Sequence, residues 1–411
     1  MDWFNEKKYG LFIHFGLYSV LAGKYKGKEI PGHSEWIMNT AKIPKDEYEA
    51  LCRQFDPKQF SADLICKKAK DWGMHYVCFT SKHHDGFALF DSKADDYNSV
   101  IRTPSKRDYV KEMAEACRKY NLKFCIYYSQ AQDWHHPDGF SAYNDNKDKN
   151  FTRYLEEKCR PQVKELLTNY GEVHMLWFDT PMGMNYEQCY DLRRLVKSLQ
   201  ANCLINGRIG HRLGDYLTTQ DNRIPSFPIE KKWEVPATLN HTWGYKASDN
   251  DWADAGTILH RLLRIVARGG NYLLNIGPKA DGSIPKESEM ILDEVGLWLK
   301  TCGDAIYNSR AIEPYIYETP ELVFTHKDHK LFIHVLNAKQ QAGRKIVLPN
   351  INNRINKAYW LNSNKPAKIT EEKTLGGYPS WVFFVPDKFE EKYILTLAVE
   401  TQEKDFKQVA L

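Results

Sequence analysis

Histidines, carboxylates and aromatic residues stand where the short apolar runs of this 411-residue chain stop. His14 lies near the end of YGLFIHF, and Lys82-His83-His84-Asp85-Gly86 follows MHYVCFTS. Tyr127-Tyr128-Ser129 ends LKFCIYYS, with Trp134, His135 and His136 close behind, and Trp177-Phe178-Asp179 ends VHMLWFDT. Asp221 follows DYLTTQ, and Trp233-Glu234 opens WEVPATLN. Singly, each has an ordinary explanation: a strand-end histidine is a satisfied structural residue, and an aspartate before Thr-Pro caps a helix. Their recurrence at consecutive strand ends exceeds what capping and packing require. Cleaving a glycosidic bond fits the set, since it takes one carboxyl as nucleophile or base and a second as proton donor. Histidine and tryptophan N–H groups bind hydroxyls, and aromatic rings wall the apolar face of a sugar. Phosphate chemistry would need GxxxxGKS/T or GxGxxG after a strand, and serine hydrolysis a GxSxG elbow; neither is present. His83 and His84 could ligate a metal, but adjacent strand residues point to opposite faces and no HExxH or well-spaced third ligand accompanies them. No metal or cofactor is expected.

The elements that must hold these residues alternate between strand and helix over about the first 310 positions. A helix over residues 61–72, capped by Ser61 and ended by Gly73, feeds the strand MHYVCFTS. Helices near 108–120, 150–170, 186–200, 256–268 and 286–301 carry apolar residues at helical spacing, and most of them precede or follow a strand. Eight strands in this rhythm predict an α/β fold of the (β/α)8 type, whose active site lies at the strand ends. The irregular stretch at 206–250 leaves room for one or two missing helices, and a doubly wound open sheet is the competing architecture. Beyond residue 312 the helical period is lost. Segments such as HKLFIHVLN and KYILTLAVE, separated by Asn-, Gly-, Pro- and Lys-rich turns, predict a β-sandwich over 313–411 behind a catalytic barrel over 1–312.

Composition narrows the function classes. There are 57 basic and 53 acidic residues, spread along the chain for a formal charge of +4, which argues against a nucleic-acid or membrane-surface partner. Aromatic residues make up 13%, which serves both a large core and sugar stacking. Nine scattered cysteines, none in a CxxC pair, read as buried free thiols. With no signal peptide or membrane-length apolar run in view, a cytoplasmic setting is expected; a periplasmic or secreted one stays open if a leader has been removed.

Six strings then stand together: WFNEKKYGLFIHFGLYSV (3–20), SEWI (34–37), SKHHDGF (81–87), LWFD (176–179), WEVPATLNHTWGY (233–245) and GGNYLLNIGPKADGSIP (269–285). In sequence and order they resemble the α-L-fucosidases of glycoside hydrolase family 29. The resemblance covers the presumed barrel, and the sandwich tail matches the family's architecture. It implies a retaining, exo-acting hydrolase of terminal α-L-fucose working on fucosylated oligosaccharides or glycoconjugates, with Asp179 as nucleophile. It puts His14, Glu35, Trp36, His83, His84 and Trp177 around the fucose, and Tyr128 near the nucleophile. The family's proton donor falls between a Gly-Asp-aromatic strand and the Trp-Glu motif. Asp221 is first choice there by spacing, with Glu234 and Glu230 as fallbacks, although Glu234 reads equally as a residue of the barrel wall. The other readings are a related retaining exo-glycosidase on β-D-galactosides, a fucose-binding protein without catalysis, and a metal hydrolase using His83, His84 and Asp85. Linkage preference would depend on aglycone-side loops, for which residues 23–32 and 138–149 are candidates. Oligomeric state is not legible.

Overall fold

A computed structural model describes residues 2–141, 148–226, 229–312, 318–349, 353–373, 377 and 379–404. The candidate loop 138–149 therefore lies partly outside the described residues, and so does the start of the segment that follows the 312/313 boundary.

Eight parallel strands curl into a barrel: β1 (Tyr9–Ile13), β2 (Tyr76–Lys82), β3 (Lys123–Ser129), β4 (Met175–Asp179), β5 (Leu204–Ile205), β6 (Leu217–Thr218), β7 (Trp233–Thr238) and β8 (Asn271–Ile276). Their hydrogen-bonded order is β5-β4-β3-β2-β1-β8-β7-β6. The short β5 and β6 meet through side chains as well as backbone. The Asp215 N–H donates to the Ile205 carbonyl (2.7 Å), the Ile205 N–H to Asp215 Oδ2 (2.9 Å), and the Gly207 N–H to Thr218 Oγ1 (3.2 Å).

Among the described residues the six longest helices pack outside: α1 (Ala62–Asp71), α2 (Tyr109–Lys119), α3 (Phe151–Tyr154 running through a π turn, Leu155–Cys159, into Arg160–Thr168), α4 (Tyr186–Leu199), α5 (Ala255–Ala267) and α6 (Lys286–Cys302). Local chemistry starts them. Ser61, Asp108 and Asp254 accept from backbone N–H groups of the first turn, and Asn185 forms a capping box with Gln188. Among the described residues no α-helix follows β5 or β6, which is the gap expected at 206–250.

Alternation along the strands sorts side chains into two cores. Phe12, Tyr76, Tyr127, Met175, Trp177 and Leu273 fill the barrel interior, whereas Ile126, Tyr128, Leu176 and Phe178 face the helices. C-terminal to the barrel, β9 (Leu322–Lys327), β10 (Lys330–Val335), β11 (Lys345–Pro349), β12 (Ile355–Trp360), β13 (Lys365–Pro366), β14 (Ile369–Lys373), β15 (Pro379–Phe384) and β16 (Leu395–Thr401) form two antiparallel sheets, β9-β10-β16-β12-β13 and β11-β15-β14. They enclose their own core around Phe324, Ile333, Trp360, Phe383 and Leu397. Trp298 on α6 donates to the Ile394 carbonyl (3.1 Å), and Thr325 Oγ1 to the Ala305 carbonyl (2.7 Å), so the sandwich seats on the barrel. All nine cysteines are buried and free, and no helix among the described residues is long and apolar enough to cross a membrane.

Candidate active site

Strand β4 delivers Asp179 to the C-terminal mouth of the barrel, into a cavity of about 220 Å³. That is below the ~300–1,000 Å³ of drug-sized pockets and suits one sugar ring. His14, Glu35, Trp36, His83, His84, Trp177 and Asp221 line the same cavity, as do Tyr127, Arg208 and Trp243.

Asp179 is 7% exposed, and both its oxygens are engaged. Oδ2 accepts from the Tyr127 hydroxyl (2.9 Å) and stands 3.7 Å from His84 Nε2. Oδ1 accepts from Arg208 Nη1 (3.0 Å) and from the N–H of Thr180 (3.0 Å). Thr180 has φ 51°, a left-handed conformation that is an outlier for a β-branched residue. Burial pushes the Asp179 carboxyl up. The Arg208 guanidinium, with the hydrogen bonds from Arg208 and Tyr127, outweighs burial and holds it below its ordinary value.

Arg208 comes from the 3-10 turn Gly207–Ile209 after β5. Its Nη2 contacts Asp221 Oδ1, and its guanidinium lies 4.8 Å from the centre of the Trp177 ring. Burial opposes the guanidinium charge, but the two carboxylates more than compensate and raise its pKa. Asp179 sits inside the cavity, whereas the Asp221 side chain is 43% exposed at its mouth.

Burial disfavours the charged form of the three cavity histidines. Burial drives His14 down to about 3 and His84 to about 4, and lowers His83 well below its usual value. His14 Nδ1 meets Asn275 Oδ1 at 2.7 Å, and Asn275 Nδ2 donates to the Trp243 carbonyl (2.7 Å), which fixes the amide orientation. His14 therefore carries its proton on Nδ1 and leaves Nε2 as an acceptor. His84 Nδ1 meets Ser129 Oγ (2.7 Å), whose own proton goes to the Gln132 carbonyl (2.9 Å), giving the same tautomer. Glu35 uses Oε2 to accept from the Gly244 N–H (2.9 Å). Glu35 Oε1 and His83 Nδ1 are buried without a hydrogen-bond partner among the described residues. Buried polar atoms left this way carry a cost that a polyhydroxyl ligand relieves.

His83 and His84 both face the cavity, contrary to strict alternation, because β2 changes register between Thr80 and Lys82 and the two residues lie beyond its end. Asp85 turns away to accept from the Tyr48 hydroxyl (2.9 Å), so it does not converge with them.

Three predicted residues lie elsewhere. Tyr128 faces the helices and donates to Gln162 Oε1 (2.9 Å); the tyrosine on Asp179 is Tyr127. The cause is parity. Tyr127 pairs with Trp177 and Ser129 with Asp179, so inward positions fall on odd numbers in both strands. Glu234 is fully buried in the barrel interior, where it accepts from Tyr76, Trp177 and Tyr216. Glu230 is exposed beside Asp2, Lys8 and Gly269, at the opposite end of the barrel. Arg208, Thr180 and Trp243 were missed. Asp179 pointing inward would have signalled Tyr127, while Arg208 sits in a loop with no periodicity to place it.

A family model for α-L-fucosidase matches residues 1–304. The plasma α-L-fucosidase of Rattus norvegicus is 32% identical over 373 residues, covering 84% of this chain and 79% of its own. The crystal structure of an α-L-fucosidase from Vibrio sp. strain EJY3 superposes with a TM-score of 0.92 at 31% identity, covering 98% of this chain and 73% of that one. The Lactobacillus casei enzyme AlfC in complex with α-L-fucose product gives 0.69 at 37%, covering 73% and 99%. The barrel, its mouth and these likenesses agree: the chain belongs to the α-L-fucosidases of glycoside hydrolase family 29.

Proposed function

We propose that this α-L-fucosidase hydrolyses terminal α-L-fucose of glycoconjugates by double displacement, with Asp179 as nucleophile and Asp221 as acid/base. The observation that carries this is the uneven dressing of the Asp179 carboxylate. A carboxylate offers about two acceptor directions per oxygen. Oδ1 has two donors, Arg208 and Thr180, while Oδ2 has Tyr127 alone. Oδ2 therefore keeps a lone pair for carbon, and the donors hold the group ionised.

In the first step Oδ2 attacks C1 of fucose, the C1–O bond to the aglycone breaks, and a protonated Asp221 gives its proton to the departing oxygen. For this Asp221 must come off Arg208, which the exposed position of its side chain allows. In the second step water attacks C1 of the glycosyl ester while the Asp221 carboxylate takes its proton, freeing fucose and Asp179. His14, Glu35 and His83 offer fixed acceptors and unpaired groups to the sugar hydroxyls, and Trp36, Trp177 and Trp243 wall the ring.

The test is side-by-side hydrolysis of aryl α-L-fucoside and aryl β-D-galactoside, with the first-formed fucose anomer read by NMR. Preference for the fucoside and release of α-L-fucose support the reading. Release of the β-anomer, binding of fucose without turnover, or preference for the galactoside overturns it.

A further inference from the structure

We infer that Glu234, deep in the barrel, is a positioning residue for the fucosidase reaction, acting through the Trp177 indole on the two groups that hold Asp179. The inference rests on Asp179 being the nucleophile. Glu234 lies on β7 and is fully buried. Its Oε1 accepts from Trp177 Nε1 (3.0 Å) and the Tyr216 hydroxyl (3.1 Å), and its Oε2 from the Tyr76 hydroxyl (2.8 Å). A carboxyl this deep is costly, and hydrophobic residues of similar size fill barrel interiors without that cost. Its three donors come from β2, β4 and the segment before β6, so it ties opposite walls together.

Of the three donors, Trp177 reaches the chemistry. Its ring stacks on Tyr127 (centroids 5.6 Å apart, planes at 22°) and lies 4.8 Å beneath the Arg208 guanidinium. Tyr127 and Arg208 are the donors on Asp179 Oδ2 and Oδ1 respectively. Phe12 packs edge-on against the same indole (5.1 Å). Without an acceptor on Nε1 the indole can rotate in its plane or tilt, and both donors lose their backing. A displacement of about 1 Å at a reacting group is enough to cost about 10²-fold. The charged and titratable groups facing Asp179 are Arg208, His84, Tyr127 and, further off, His14; weaker Arg208 and Tyr127 contacts let its carboxyl rise.

The experiment compares Glu234→Gln, Glu234→Leu and Tyr216→Phe on an aryl α-L-fucoside. Gln keeps an oxygen for Trp177 and Tyr216 and can donate its amide N–H to the Tyr76 oxygen. Tyr216→Phe removes a neighbouring donor and leaves the Trp177 bond intact. Expected are kcat values within about 3-fold of wild type for Glu234→Gln and Tyr216→Phe. Glu234→Leu should lose more than about 10-fold in kcat, with KM within about 3-fold and the acidic limb of the pH profile moved to higher pH. Equal losses in Gln and Leu, a loss confined to KM, or an unmoved acidic limb overturns the inference. If Glu234→Leu does not fold, Trp177→Phe decides: it must show the same fall in kcat and the same limb shift, and normal values of either overturn the idea. Asp179→Asn, assayed alongside, reports separately on the nucleophile, because an active Asp179→Asn breaks the underlying reading whatever Glu234 does.

Discussion

One guanidinium joins the two carboxylates of this site: Arg208 Nη1 is 3.0 Å from Asp179 Oδ1, and Nη2 contacts Asp221 Oδ1. The guanidinium thereby holds the Asp179 carboxyl below its ordinary value and ties it to Asp221 at the cavity mouth.

Replacing Arg208 with Met removes the cation and one of the two donors on Oδ1. Loss of one such donor in a buried site costs about 10²–10³ in rate. Since Arg208 leads the influences that hold Asp179 down against burial, the acidic limb of kcat/KM should move to higher pH. A pH–rate profile of Arg208→Met checks this, and an unmoved limb contradicts it.

Asp221→Asn should discriminate by leaving group. General acid catalysis contributes about 10²–10⁴ where the leaving oxygen needs a proton, and little where it does not. Rates on natural fucosides should therefore collapse, while the first step on a dinitrophenyl fucoside should change little. Equal losses on both substrates would exclude Asp221 as the proton donor.

Two adjacent tyrosines make an internal control. Tyr127→Phe deletes the donor on Asp179 Oδ2, and kcat should fall about 100-fold, the lower end of the range for a lost transition-state hydrogen bond. Tyr128→Phe deletes a bond to Gln162 on the helix side, costing about 1 kcal/mol of stability with kcat retained. Steady-state kinetics and urea melts on the pair read both numbers, and a kinetic defect in Tyr128→Phe would reverse the assignment.

Much of this was legible in the sequence because it rests on period. Helix caps at Ser61 and the stop at Gly73, six helical stripes and eight apolar runs define the barrel, and the strand ends carry Asp179, His83 and His84. Tyr127 and Tyr128 are adjacent residues of one type, and only strand parity, the face shared with Asp179, separates them. Arg208 and Trp243 reach the cavity from loops in distant parts of the chain and join Glu35, the one of the three that SEWI points to; no local pattern records that convergence. Glu234 drew attention as a carboxyl, but nothing in WEVPATLN tells burial in the wall from exposure at the mouth.

Buried neutral histidines also shape the stability curve. His334 in the sandwich bridges Thr325 Oγ1 and Thr396 Oγ1, each at 3.0 Å, and burial drives its pKa to about 3. An unfolded histidine titrates near ~6.5, so between about 6.5 and 3 the unfolded chain binds the extra proton and stability falls as pH falls. Glu234, raised by burial to about 7, works in the opposite direction. The difference between wild type and His334→Gln isolates one group. The variant's unfolding free energy should fall less steeply with acid below pH 6, by at most about 1.4 kcal/mol per pH unit. Parallel curves would contradict a neutral buried His334.

The most direct measurement is covalent trapping with a 2-fluoro-fucosyl reagent followed by peptide mapping. The fluorine slows both steps, so the glycosyl ester accumulates on whichever carboxylate attacks C1. One fucosyl label per chain, carried on Asp179 and absent from Asp179→Asn, is the expected result. A label on Asp221, on Glu234 or on no carboxylate in a turning-over enzyme would contradict Asp179 as the nucleophile.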